Sequence, residues 1–206
     1  MTKLGMAIDT KRCFGCQTCS VACKMANNLP KGVIYNKIHT VGSAIDDIPT
    51  GIYPNLTIGY KPVACQHCDE PSCLAVCPTG ATQKREDGVV FVEAEKCIGC
   101  KACISACPYE GVRTQLEKDP AFYLDLQVGE LDAPTHIGGA VEKCTFCTNL
   151  IDRGEVPACM QLCPGRARYW GDLDDPESAV SKAIAGRKYE LLNEDKGTKP
   201  NVYYLV

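Results

Sequence analysis

All sixteen cysteines of this 206-residue chain fall into four groups of four, with none left over. The first group is Cys13-x2-Cys16-x2-Cys19-x3-Cys23, and the third is Cys97-x2-Cys100-x2-Cys103-x3-Cys107-Pro108. The second, Cys65-x2-Cys68-x4-Cys73-x3-Cys77-Pro78, has a longer middle gap, and the fourth, Cys144-x2-Cys147-x11-Cys159-x3-Cys163-Pro164, places Thr148 to Ala158 there. So many cysteines leave three explanations: a disulfide framework, zinc, or iron-sulfur clusters. Zinc sites normally use two C-x2-C pairs separated by a longer loop and do not ask for a third cysteine two residues on. Three cysteines two residues apart let one tight loop wrap a cube of iron and sulfide and direct three thiolates at three of its irons. The fourth thiolate comes from elsewhere.

Runs one and three match the bacterial ferredoxin run almost position for position, and in two-cluster ferredoxins the fourth cysteine of each run ligates the other cluster. Runs are therefore used in pairs. Between Cys77 and Cys97, Thr79-Gly80-Ala81 reads as a short helix start and Asp87-Gly88 as a hairpin turn before Val89-Val90-Phe91-Val92. Runs two and three then make one complete module, residues 60–112. It is inserted into a first module made of runs one and four, residues 1–35 and 140–175, with a C-terminal helix and tail over residues 176–206. On this nested reading Cys13, Cys16 and Cys19 take Cys163 as fourth ligand, and Cys144, Cys147 and Cys159 take Cys23. Likewise Cys65, Cys68 and Cys73 take Cys107, and Cys97, Cys100 and Cys103 take Cys77. The alternative pairs the runs in sequence order, one with two and three with four, but its linkers lack the short hairpin. The expected fold class is α+β: two nested 2×[4Fe-4S] ferredoxin-like modules with irregular insertions. The expected cofactors are four [4Fe-4S] clusters.

Lys24 to Ala64 and Pro108 to Lys143 show no sustained periodicity and read as irregular connections with short strands, for example Leu56 to Tyr60. Asp174-Asp175-Pro176-Glu177 predicts the start of a helix that carries Ala179-Val180 and Ala183-Ile184 and ends near Gly186. Asn201 to Val206 predicts a strand. No apolar run approaches the roughly 18 residues that span a bilayer, so no direct membrane span is expected. Met1 to Lys11 lacks the apolar stretch of a signal peptide, which disfavours a secreted disulfide framework. The net charge of −3 argues against a nucleic-acid binder.

No P-loop, G-x-G-x-x-G or nucleophile motif is present. Catalytic clusters usually keep an open iron, whereas sixteen ligands for sixteen iron sites leave none. The expectation is electron transfer without a catalytic site, either as a fixed conduit or as a free-standing polyferredoxin carrier. The long insertions and the apolar tail Tyr203-Tyr204-Leu205-Val206 favour the conduit, with the tail expected to pack on a partner rather than on this chain's own core.

The four runs in this order, with Cys65-Gln66-His67-Cys68, Cys77-Pro78-Thr79-Gly80-Ala81, Lys84-Arg85-Glu86-Asp87-Gly88, Lys143-Cys144-Thr145-Phe146-Cys147 and Lys199-Pro200-Asn201, resemble the iron-sulfur subunits of the dimethyl sulfoxide reductase family of molybdenum enzymes. Gly171-Asp172-Leu173-Asp174-Asp175-Pro176 is similar to the branch serving arsenate, polysulfide and related reductases. The resemblance covers nearly the whole chain. It implies a large catalytic partner with a molybdenum or tungsten bis-pterin cofactor and often an integral membrane quinone-reactive subunit, in anaerobic respiration. It further implies that the run-one cluster faces the catalytic subunit and the run-three cluster the membrane side. It places the complex on the outer face of the cytoplasmic membrane, exported folded with its partner, with the cytoplasm as the alternative. Where the nitrate reductase branch has a tryptophan in the third run and a three-iron cluster, this chain has Cys100, which implies four four-iron clusters. Cys23 is followed by Lys24 instead of proline, which the first run of such subunits commonly tolerates.

An oxidised cube with four thiolates carries about −2, so four would add roughly −8 to the protein. Lys11, Arg12, Lys24, Lys96, Lys101 and Lys143 adjoin ligands and could raise reduction potentials. The plainer expectation is that they are solvated surface residues. His67 lies between two cysteines but is surplus to the ligand count, and His39 and His136 have no assignable role. Trp170 and Tyr109 follow ligands closely and are expected to shield clusters from water.

Overall fold

The computed structural model describes residues 2–206. The chain opens with β1 (Leu4–Asp9), buried from Gly5 to Asp9. Run one follows as a loop that enters α1 (Thr18–Ala26), whose buried face includes Cys19, Ala22 and Cys23. The first connection then forms β2 (Lys37–Thr40), a hairpin of β3 (Thr50–Ile52) and β4 (Asn55–Thr57), and β5 (Tyr60–Val63), which returns antiparallel to β2. The strand expected over Leu56 to Tyr60 is therefore two strands. Asn55–Thr57 pairs back on Thr50–Ile52, Tyr60–Val63 pairs with β2, and the chain changes partner between them.

Run two enters α2 (Ser72–Ala75) directly after Pro71. Thr79-Gly80-Ala81 does not start a helix, because Gly80 adopts φ 66° and turns the chain into β6 (Thr82–Lys84) instead. The hairpin around Asp87-Gly88 forms as expected, with β7 (Val90–Val92) returning so that Lys84 faces Val90. A 3-10 turn, Ala94–Lys96, leads into run three, which carries α3 (Ala102–Ser105). The second connection leaves by β8 (Arg113–Gln115) and comes back as β9 (Val141–Lys143), its antiparallel partner. The long loop of run four carries α4 (Thr148–Ile151) and α5 (Ala158–Gln161). Beyond it come β10 (Arg168–Asp172), α6 (Ala179–Ile184), β11 (Tyr189–Leu191) and β12 (Val202–Leu205).

Four of these strands form one sheet in the order β10-β1-β12-β11. β1 runs antiparallel to β10 and parallel to β12, so the first strand lies between two late ones. Alternate side chains of β1 point to opposite faces. Met6 and Ile8 pack with Val202, Tyr204, Trp170 and Phe146 on the face toward the cysteine loops, while Ala7 packs with Leu205 and with Val180 of α6 on the other. The predicted helix thus forms and covers the outer face. Its N-cap is Ser178 rather than an aspartate, the Ser178 hydroxyl accepting from the Ser181 N–H at 3.2 Å.

The tail is where expectation and structure part. Tyr204 and Leu205 are fully buried within this chain's own core, not held for a partner. A strand buried on both faces, as β1 is, needs a backbone partner along each edge, since unpaired buried N–H and C=O groups are costly. β12 supplies the second edge, and the Tyr204 hydroxyl donates to the Pro62 carbonyl at 2.8 Å.

Candidate metal centres

Each run makes its tight loop with left-handed backbone just before its second cysteine. Gly15 and Gly99 hold that place in runs one and three, at φ 74° and 67°. A Cβ at Gly99 would come within 2.5 Å of the Gly139 carbonyl, so only glycine fits. Runs two and four put His67 and Phe146 there, at φ 43° and 57°. Their rings stack at 3.6 Å between centroids and 17° between planes, and Phe146 meets Trp170 edge-on at 4.7 Å. Trp170 and Tyr109 are both buried beside cysteines: Trp170 in the core that Cys144 and Cys159 pack against, Tyr109 with its hydroxyl 3.6 Å from Cys68 Sγ.

The fold brings cysteines of different runs together. Cys13, Cys16, Cys19 and Cys163 line one cavity. Cys23, Cys65, Cys144, Cys147 and Cys159 line a second. Burial pushes the Cys23 thiol well up, and Cys144, Cys147 and Cys159 add their charge to that effect. Cys107 is raised to about 11 by burial, its thiol neighbours being Cys65 and Cys73. Cys103 is raised by burial, with Cys97 and Cys77 as its thiol neighbours. α1 packs on α5, and α2 on α3. Among the described residues no three His, Cys, Asp or Glu side chains converge tightly enough to hold one metal ion. A zinc ion needs its thiolates at about 2.3 Å from one point, whereas a cube takes them at separate corners.

Backbone N–H groups face the sulfurs, as hydrogen bonds that tune iron-sulfur sites do. Val141, Phe146 and Ala167 each place an N–H 3.4 Å from a sulfur, of Cys97, Cys144 and Cys163 respectively. Burial raises the Cys77 thiol, but hydrogen bonds from the Thr82, Thr79 and Ala81 backbone and from the Thr79 hydroxyl bring it down to about 7. Bound metal would go further and deprotonate the thiols outright.

Of the basic residues adjoining cysteines, Lys96 and Lys101 are exposed, while Lys143 is buried, its ammonium donating to the Val90 and Cys144 carbonyls. The Lys24 ammonium donates to the Pro30 and Val33 carbonyls. Two buried arginines escaped the sequence reading. Arg113 donates from Nη2 to Cys73 Sγ at 2.8 Å, and Arg168 lines both cysteine cavities. A signal was present in retrospect: each is the first or second arginine after a Cys-Pro, Cys107-Pro108 and Cys163-Pro164. His67 is fully buried and accepts from the Val90 N–H at 3.1 Å. His136 also has a place after all, linking Glu142 to the Asn27 carbonyl at 2.9 Å each, and Tyr35 donates to the same Glu142 at 2.7 Å. His39 is half-exposed beside Asp46.

Tight left-handed cysteine loops, short helices after them and thiols brought together from different runs define a ferredoxin-like iron-sulfur protein. The 4Fe-4S dicluster domain matches residues 56–122 and 133–173, and the 4Fe-4S binding domain matches residues 10–26. The chain is 43% identical over 211 residues, all of it and 79% of the relative, to a Halobacterium salinarum protein named provisionally as a dimethyl sulfoxide reductase iron-sulfur subunit. It is 41% identical to a selenate reductase subunit of Mesobacillus selenatarsenatis, over 98% of this chain and 71% of the relative. It is 35% identical to the arsenate respiratory reductase iron-sulfur subunit of Shewanella sp., over 98% of this chain and 96% of the relative. The chain belongs to the iron-sulfur subunits of the dimethyl sulfoxide reductase family. It is an electron-transfer subunit and not a catalytic one, and the free-standing carrier reading is not favoured.

Proposed function

We propose that this chain holds four [4Fe-4S] clusters on nested pairs of runs, and conducts electrons between a redox partner and a molybdenum or tungsten bis-pterin catalytic subunit. The observation that carries the pairing is the company each fourth cysteine keeps. Cys163 lines a cavity with Cys13, Cys16 and Cys19, and Cys23 lines one with Cys144, Cys147 and Cys159, where Cys65 also reaches. Cys107 neighbours Cys65 and Cys73, and Cys77 neighbours Cys97 and Cys103. When bound, such clusters each accept and pass on one electron. The residues' own part is to supply thiolates, aim N–H groups at sulfur and keep water out.

The pairing also supports the division into an outer module, residues 1–35 and 140–175, an inserted module, residues 60–112, and the C-terminal element, residues 176–206. The neighbourhoods form a row. Cys13/Cys16/Cys19/Cys163 adjoins Cys23/Cys144/Cys147/Cys159 across Arg168, that group adjoins Cys65/Cys68/Cys73/Cys107 where Cys65 meets Cys144, and Cys77/Cys97/Cys100/Cys103 follows beyond Arg113. A row suits a conduit with a partner at each end, the run-one end toward the catalytic subunit and the run-three end toward a membrane-embedded quinone-reactive subunit. No helix among the described residues is long and apolar enough to cross a membrane, so attachment there falls to that other subunit. The complex is assigned to the outer face of the cytoplasmic membrane.

Anaerobically isolated material tests this reading, with about sixteen iron and sixteen sulfide per chain expected. The double variant Cys23→Ser/Cys147→Ser separates the pairings. Nested runs lose one cluster, about four iron; runs paired in sequence order lose two, about eight.

A further inference from the structure

Three cations are buried among the cysteines, and none has a carboxylate partner. Arg113, Lys143 and Arg168 are 5%, 3% and 5% exposed, and none takes part in any ion pair among the described residues. Arg113 and Lys143 moreover face each other directly across the β8–β9 ladder, an arrangement of like charges that destabilises a sheet. Buried charge is tolerated when something of opposite sign sits beside it. The nearest candidates are the thiolate sites themselves.

Their positions are regular. Arg168 lines the cavity of Cys13, Cys16, Cys19 and Cys163 and also that of Cys23, Cys144, Cys147 and Cys159. Lys143 is bonded to the Cys144 carbonyl, and its charge reaches Cys73. Arg113 donates to Cys73, and its charge reaches Cys65 and Cys107 on one side and Cys103 on the other. Its Nη1 is buried with no partner. Arg168 thus touches the first and second neighbourhoods of the row, Lys143 the second through the Cys144 carbonyl and the third through Cys73, and Arg113 the third and fourth.

We propose that Arg168, Lys143 and Arg113 are junction cations, each balancing the negative charge of the two cluster sites it separates and raising the reduction potential of both. The proposal rests on the four-cluster nested reading. Reduction adds one negative charge to a site, so a fixed cation alongside favours the reduced form of either neighbour. These are positioning residues, acting on the cofactors through charge.

The test is a potentiometric titration followed by electron paramagnetic resonance, on the full chain purified anaerobically with its accompanying subunits, with iron and sulfide counted in every sample. In Arg113→Met, Lys143→Met and Arg168→Met, two of four midpoints are expected to fall by at least a tenfold change in the reduction equilibrium, about 59 mV for one electron. The Arg113 and Lys143 variants share one shifted cluster, the Lys143 and Arg168 variants share another, and the Arg113 and Arg168 variants share none. Arg113→Lys, Lys143→Arg and Arg168→Lys are expected to return the midpoints toward wild type. Where a methionine variant does not load its metal, glutamine at that position keeps an N–H donor, removes the charge and carries the same comparison. Unmoved midpoints with full metal content overturn the proposal, as do equal shifts in all four or a charge-retaining variant that shifts as far as the neutral one. An iron count in the wild-type chain far from sixteen instead overturns the four-cluster reading.

Discussion

His67 and Phe146 hold left-handed backbone that costs a side-chain-bearing residue about 1–2 kcal/mol, and the contact between their rings offsets that cost. Runs one and three use glycine at the same place and have no such contact. Replacing Phe146 by alanine keeps the strain and removes the packing on His67 and Trp170, so a loss of about 3–5 kcal/mol is expected in denaturant unfolding of the metal-loaded chain; a loss below about 1 kcal/mol would show that the stack contributes little. His136 makes a second case. Burial pushes its imidazole down, but the hydrogen bonds and charge of Glu142, with the Asn27 and Asn28 backbone, outweigh that and raise it above 6.5. A raised histidine gives stability that is complete below its unfolded value and lost as pH rises through its folded one. Unfolding free energy should therefore decline from about pH 6.5 upward in the native chain and run flatter in Glu142→Gln. Lys101, exposed, should matter to no midpoint, and a titration of Lys101→Gln that shifts one would contradict the assignment of tuning to the buried cations. The four cysteine runs stand out in the sequence because their spacing is local. Arg113 and Arg168 carry only the faint signal of following a Cys-Pro, since what matters about them is burial against loops distant in sequence.

Short elements decide what else was legible. The β6–β7 hairpin announced itself through Asp87-Gly88, and α6 through the acidic turn and proline before it. By contrast α2, α3 and α5 are four residues long, too short to leave a 3.6-residue pattern. β1 went unread for a different reason: buried on both faces, it has no alternation to detect. The cap of α6 offers a test at this scale. Ser178 accepts from Ser181 and also donates to the Asp172 carbonyl at 2.6 Å, tying the helix to β10. Ser178→Ala should cost about 1 kcal/mol, seen as a fall of about 2–4 °C in a thermal melt of a chain this size; an unchanged melt would mean that packing of Val180 alone seats the helix.

For the whole molecule the decisive strand is β12. It lies inside the four-stranded sheet, between β1 and β11, with Tyr204 and Leu205 fully buried. A chain truncated after Lys199 should lose its sheet and its metal whether or not a partner subunit is present, as judged by thermal denaturation and iron content. A truncated chain that still melts cooperatively when bound would return the tail to the partner. The sheet also sets a timetable. β1 leaves the ribosome nearly the whole chain ahead of β12, an interval of roughly 10–40 s at ordinary synthesis rates of 5–20 residues per second. Through that interval Met6, Ala7 and Ile8 lack the partner that β12 provides, while the segment from Cys65 to Cys107 emerges with all its cysteines well before the interval ends. On the proposed nested pairing, the middle runs of a nascent chain are complete early, while the outer runs wait for the stretch from Cys144 to Cys163 and for β12 to close the sheet.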